Sequence, residues 1–169
     1  MSEYTQAAMH DVVRRFFDGE LDLCDDKWKY SQPNEITFTA GVSGLECRIE
    51  KVRLTVVVNN RHTLVYTTLL LAVPEEKRSA VAEFITRANY GLPGGNFEMD
   101  WRDGELRYKV FLDQMMLIRS DKDAAAALFG SIFGSTHIWE CYGDNLMALL
   151  EDTAPGKSVS ELIAEAESA

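Results

Sequence analysis

The chain opens on a helical pattern. Met9, Val12, Val13, Phe16 and Phe17 fall at i, i+3, i+4, i+7 and i+8, with Asp11, Arg14, Arg15 and Asp18 between them. That spacing lays one apolar stripe along a helix, and Gly19 supplies its stop. An acidic stretch follows to Asp26, then a short alternating piece with Trp28 and Tyr30, closed by Ser31-Gln32-Pro33-Asn34. From Ile36 the period drops to two. Ile36, Phe38, Ala40 and Val42 alternate with polar or small residues, and Ser43-Gly44 reads as a turn. A two-residue turn there would set Val42 against Leu45, Ala40 against Cys47 and Phe38 against Ile49. After Glu50 the apolar parity slips to Val52, Leu54, Val56 and Val58, which predicts a β-bulge near Glu50-Lys51. Asn59-Asn60-Arg61 makes the next turn. Thr63 to Val73 reads as a third strand, apolar enough on both sides to be central or covered twice. Loops of two or three residues fit its register equally well.

Pro74, Glu75 and Glu76 open a second helix with Val81, Phe84, Ile85 and Ala88 on one face. It stops by Gly91. Phe97, Met99 and Trp101 then alternate with Glu98 and Asp100 up to Asp103-Gly104, a type I′ turn signal. Leu106, Tyr108, Val110 and Leu112 continue beyond it. A two-residue turn pairs Trp101 with Leu106, Met99 with Tyr108 and Phe97 with Val110, and sets Asp100 opposite Arg107 and Glu98 opposite Lys109. Ser120 is an N-cap with Asp121 and Asp123 behind it. The stripe from Leu128 to Leu150 predicts one long kinked helix, or two with a break near Gly134–Thr136. Thr153 to Gly156 is a linker. Ser158-Val159-Ser160-Glu161 is a capping box that opens a short helix, which either lies loose or docks on a partner subunit. The expected organisation is one domain over residues 1–152, with a linker and helical tail over 153–169. Its order is helix, three strands, helix, two strands, helix, an α+β class with an antiparallel sheet.

Composition changes this picture little. Hydrophobic residues are 46% and charged residues 26% of 169, enough to bury a core without staples. Charge is more telling. The formal net charge of −10 disfavours nucleic acid and anionic membranes, and suits a basic protein partner. Three separated cysteines, Cys24, Cys47 and Cys141, form no CxxC and point to reduced thiols in a cytoplasm. The segment MSEYTQAAMHD lacks a signal-peptide pattern, and the apolar run Thr68–Val73 is too short to span a bilayer.

Candidate chemistry is sparse. His10, His62 and His137 lie on separate elements without metal-ligand spacing, and no metal or cofactor is expected. Cys141 stands four residues after His137, a spacing that can bring a thiol to a base, without an oxyanion-hole signal beside it. Asp22, Asp25 and Asp26 lack the order of a calcium loop. Gly91-Leu92-Pro93-Gly94-Gly95 sits between helix and strand, the reverse of a phosphate loop. Gly130-Ser131-Ile132-Phe133-Gly134 matches GxxxG, which outside a membrane means close helix packing at most. Trp28 and Tyr30 are the best candidates for a recognition patch.

Residues 74–112 carry a resemblance. Pro74, Asn89, Gly95, Phe97, Asp100, Asp103, Gly104 and Tyr108 occupy the positions of a Pro-started helix ending in Asn, a Gly, Phe-x-x-Asp, an acidic-Gly turn and an aromatic-centred strand. This run resembles the YbjN-type family of bacterial sensory-transduction regulators, and the order of elements extends the resemblance over about residues 1–150. Leu92-Pro93-Gly94 and the tail after Thr153 depart from it. The family is similar in fold to type III secretion chaperones, small acidic dimers that bind extended segments of other proteins. The resemblance therefore implies a non-enzymatic, chaperone-like or regulatory protein-binding module, homodimeric, taking another protein or an extended peptide segment. It brings no catalytic residues. The competing expectation is a small-ligand sensor with a pocket between sheet and helices.

Overall fold

A computed structural model describes residues 4–24 and 26–168. Met1 to Glu3 of the leader reading, Asp25 of the acidic cluster and Ala169 of the tail lie outside the described residues. Among the described residues the chain is α+β, with six antiparallel strands and five α-helices. Helix α1 (Gln6–Phe17) precedes β1 (Tyr30–Asn34), β2 (Thr37–Ser43), β3 (Lys51–Val58) and β4 (His62–Leu69). A 3-10 turn (Glu75–Lys77) leads into α2 (Arg78–Gly91), then β5 (Asn96–Met99) and β6 (Leu106–Asp113). Helices α3 (Gln114–Leu117), α4 (Asp121–Leu150) and α5 (Val159–Ala166) complete it. The sheet order is β1-β2-β3-β4-β6-β5.

The predicted stripe of α1 is fully buried at all five positions. Thr5 caps its N-terminus, and Gly19 turns the chain at φ +70°. Alternate residues of the sheet, among them Phe38, Leu54, Val56 and Val65, pack with α1 and the first half of α4 in one apolar cluster. Val52, Leu69, Leu106 and Tyr108 join α2, α5 and the second half of α4 in another. The helices thus cover one face of the sheet, and α4 spans both clusters as one continuous element rather than two. Trp139 sits near its middle, fully buried, and its indole N–H donates to Thr67 Oγ1 on the central strand at 2.8 Å.

Four expectations need correction. The segment Tyr30–Asn34 is a strand, so four strands precede α2 rather than three. It forms the edge of the sheet, where Pro33 costs no ladder bond, and its pairing with β2 is irregular between Ser31 and Asn34.

The second correction concerns residues 44–50, which are not a hairpin strand. Phe38 faces Val56, Ala40 faces Leu54 and Val42 faces Val52. The alternation of Leu45, Cys47 and Ile49 is real but is satisfied by α4. The Glu46 N–H donates to Glu140 Oε1 at 3.1 Å and the Arg48 N–H to Asp144 Oδ1 at 2.7 Å. Cys47 and Ile49 press on Gly143, where an added Cβ would stand 2.8 Å from Cys47 Sγ. The parity slip at Glu50-Lys51 is therefore the end of this loop, not a bulge.

Third, the β5–β6 register is displaced by two residues. Phe97 faces Tyr108, Glu98 faces Arg107 and Met99 faces Leu106. The faces are as predicted, because a shift of two keeps parity. The turn is longer: Asp100 and Asp103 side chains accept from the backbone N–H of Arg102 and Glu105, both at 2.9 Å. Only Gly104 takes positive φ, at +79°, whereas a type I′ turn needs two such residues. Gly104 also receives the Val73 N–H at 2.9 Å, so close that a Cβ there would collide with the Val73 carbonyl.

Finally, the tail helix packs on its own chain. Ser158 and Glu161 complete the capping box, and Leu162, Ile163 and Ala166 are buried against α2 and α4. Between β3 and β4 the open register resolves as Val58 against Thr63, with the Asn59 N–H donating to the His62 carbonyl.

Two outcomes test this packing. Leu162→Ala should cost about 2–5 kcal/mol in urea denaturation, as for a core leucine; a helix lying free would cost nothing. Glu98 generates the second. Burial alone would raise its carboxyl, but hydrogen bonds from Lys109, Arg107 and Asn96 outweigh that and hold its pKa below the ordinary 4.5. Its contribution is complete above the unfolded value and is lost as pH falls through the lower folded one. Glu98→Gln should be less stable than the parent at pH 7, by about 1 kcal/mol or less. Thermal melts across the acid range should show that gap closing below the lowered pKa.

Candidate functional site

Strand β5 is half the length of its partner. Its ladder runs from Asn96 opposite Lys109 to Met99 opposite Leu106. Beyond Lys109, among the described residues, β6 has a strand neighbour only on its β4 side. At this place the sheet and α4 enclose an open groove of about 460 Å³. Its floor is Tyr108 and Val110. One wall is the α4 face that carries Ala127, Gly130, Ser131, Gly134, Ser135 and Ile138, with His137 at its rim, and Pro93 and Gly94 form an end.

The loop that makes this end is held firmly. Asn89 at the close of α2 accepts the Phe97 N–H at 2.7 Å and donates to the Phe97 carbonyl at 3.0 Å. The Tyr108 hydroxyl donates to the Gly94 carbonyl. Burial, then proximity to Tyr142, pushes the Tyr108 phenol up, so it stays a neutral donor. Gly95 stands at φ +74° with the Tyr108 ring against its Cα, leaving no room for a side chain. The loop is thus a fixed connection, as its position between helix and strand suggested.

The wall is made of what is missing from it. Gly143 has a steric reason for its lack of a side chain, because Cys47 and Ile49 fill the space. Gly130 and Gly134 do not: beyond their own helical turns, no atom lies within 4 Å of where either Cβ would stand. The GxxxG pair therefore packs against nothing, which corrects its reading as a helix-packing motif. A glycine inside a helix costs about 0.5–1 kcal/mol relative to alanine. The groove's own polar side chains are already engaged. Ser131 Oγ donates to the Ala127 carbonyl and Ser135 Oγ to the Ile132 carbonyl, both at 2.7 Å.

Trp28 and Tyr30 lie elsewhere. Both are half-buried at the rim of the α1 cluster: Trp28 is 5.7 Å from the rings of Phe16 and Phe17, and Tyr30 stacks on Phe17 at 5.1 Å. The Tyr30 hydroxyl donates to Asp18 Oδ1 at 3.3 Å. Burial and then the Asp18 charge raise its pKa. Their outer faces, with Lys27 and Lys29, line a shallow depression well away from the groove.

His137 and Cys141 do meet, with Nε2 3.6 Å from Sγ, and His137 Nδ1 lies 3.5 Å from Glu140 Oε2. The neighbouring backbone N–H groups belong to the mid-helix ladder, so their own helix offers no donors for an oxyanion. His10 hydrogen-bonds Gln32, and His62 stacks on Phe111. Among the described residues no three His, Cys, Asp or Glu side chains converge on a possible metal position. Asp22 and Asp26 are exposed. No helix of the described residues is long and apolar enough to cross a membrane.

No protein-family model matches the chain, and no curated protein matches it significantly. The sequence suggested a pocket between sheet and helices without placing it, because the groove's signal is the absence of side chains at Gly130 and Gly134. Gly130→Ala and Gly134→Ala should each raise stability by about 0.5–1 kcal/mol in chemical denaturation. A loss of stability would mean that these glycines are needed for packing.

Proposed function

We propose that this protein is a non-enzymatic protein-binding module that seats an extended segment of another protein in the groove between α4 and the outer edge of β6. The observation that carries the reading is the pair of helix glycines with nothing beside them, facing a stretch of β6 with no strand on that side. An added strand satisfies an open edge by main-chain hydrogen bonds and sends alternate side chains to opposite faces. The groove would receive one set. The resemblance of residues 74–112 to the YbjN-type family, and through it to type III secretion chaperones, supports the same reading, including a chaperone-like or regulatory role.

The small-ligand reading draws on a volume inside the usual ligand range of about 300–1,000 Å³. Against it, a small molecule needs converging polar groups, and the hydroxyls of Ser131, Ser135 and Tyr108 are spent within the protein. Apart from the His137 imidazole at the rim, which already lies against Cys141 Sγ and Glu140 Oε2, what remains polar here is backbone, which suits a peptide.

The homodimer implied by the resemblance is part of this proposal, and sedimentation equilibrium reads it. Affinity capture from native lysate with the full chain, beside a Gly134→Trp variant, tests the groove. We expect a stoichiometric protein retained by the parent and lost with the variant, whose circular dichroism should be unchanged. Equal retention by both, or none by either, overturns the proposal. The full chain is required, since α5 belongs to the core.

A further inference from the structure

Of the three thiols in the chain, one stands against a base. Cys24 packs at the edge of the α1 cluster. Cys47 is pressed onto Gly143, and burial pushes its thiol up. Cys141 Sγ instead lies 3.6 Å from His137 Nε2, one helical turn away and at the surface. The His137 side chain is 71% exposed, and its Nδ1 faces Glu140 Oε2 at 3.5 Å. Glu140 is held in turn, because its Oε1 accepts the Glu46 N–H at 3.1 Å. With the Nδ1 proton toward the carboxylate, the ring presents Nε2 to the thiol as an acceptor. A nucleophile, a base and a group that orients the base thus adjoin on one helix.

The helix decides which reaction this arrangement can serve. Acyl transfer needs donors for an oxyanion, and the backbone N–H groups around Cys141 are bound in the helical ladder. Displacement at a peroxide forms no tetrahedral oxyanion; it needs a proton for the leaving oxygen. We propose that Cys141 is a site of oxidation by hydroperoxides, with His137 as its acid–base partner. Nε2 takes the Sγ proton as sulfur attacks one peroxide oxygen. The S–O bond forms as the O–O bond breaks, and the proton passes from Nε2 to the leaving oxygen. Cysteine is oxidised to sulfenic acid, and the hydroperoxide is reduced to an alcohol, or hydrogen peroxide to water. Disulfides match less well. Their leaving thiolate needs no proton, and an anionic one such as oxidised glutathione meets a chain of net charge −10. Hydrogen peroxide is neutral. Residues 141 and 143 point to opposite sides of α4, about 160° apart, so Cys47 on Gly143 stands away from Cys141, and Cys24 belongs to the other apolar cluster. The site is therefore one of modification rather than turnover, and it does not depend on what the groove holds.

The test treats the full chain with hydrogen peroxide, traps sulfenic acid with dimedone and reads each cysteine peptide by mass spectrometry. Cys141 should be labelled about tenfold or more faster than Cys24 and Cys47. His137→Gln should slow Cys141 by about tenfold or more, leave the other two rates and the thermal melt as they were, and regain part of the loss when imidazole is added. The same substitution should slow modification by oxidised glutathione less, since that leaving group needs no proton. Cys24 or Cys47 labelled as fast as Cys141, or an unchanged Cys141 rate in His137→Gln, overturns the inference. An equal loss with both reagents also overturns it, because His137 would then serve the thiol and not the leaving oxygen.

Discussion

The position of α4 over the sheet depends on one buried polar contact. Trp139 is the largest fully buried side chain, and its indole N–H would be unpaired in an apolar core without the Thr67 hydroxyl at 2.8 Å. Leaving such a donor unsatisfied costs about 1–3 kcal/mol. Dispersion alone would let a helix of about 45 Å slide along an apolar sheet. The hydrogen bond, with Phe97 edge-on to the indole at 5.1 Å, fixes its axial position over β4 and β5. From that point the rest is placed. The N-terminal half of α4 meets α1, and the C-terminal half meets α2 and α5. Gly143 falls under the loop 44–50, and Gly130 and Gly134 fall beside β6 beyond the end of β5.

The parts of the fold legible in the sequence are those governed by side-chain period. The α1 stripe, the apolar faces of β2 to β6 and the caps at Ser120 and Ser158 depend on residues a few positions apart. Register is a different quantity. A slip of two residues leaves Phe97, Met99, Leu106 and Tyr108 on the same face, and Glu98 reaches Lys109 or Arg107 equally well; here it binds both. Parity and charge therefore could not choose, and the side-chain-capped turn at Asp100–Gly104 did. The loop 44–50 shows the reverse problem. Its alternation was correctly apolar, but the surface it matched was a helix a hundred residues away.

The sites divide along the same line. Trp28 and Tyr30 attract notice by residue type, and the structure finds them half-committed to Phe16 and Phe17. Glycine carries no such signal. Gly143, Gly130 and Gly134 stand on one helix and look alike in the sequence. One makes room for Cys47 and Ile49; the others make room for nothing within the chain. Only the neighbours of an absent Cβ separate these meanings, and the sequence does not place them.

Strand β6 separates the groove proposed for binding from the open face of the sheet. Side chains alternate across a strand, so Val110 points to the groove and Phe111 to the open face. Each surface breaks a local rule: glycine inside a helix, and a large aromatic exposed on a sheet. Departures from local consistency that gain nothing within the fold concentrate where a protein meets something else. Two of them stand on opposite sides of one strand, beside the stretch that β5 leaves unpaired.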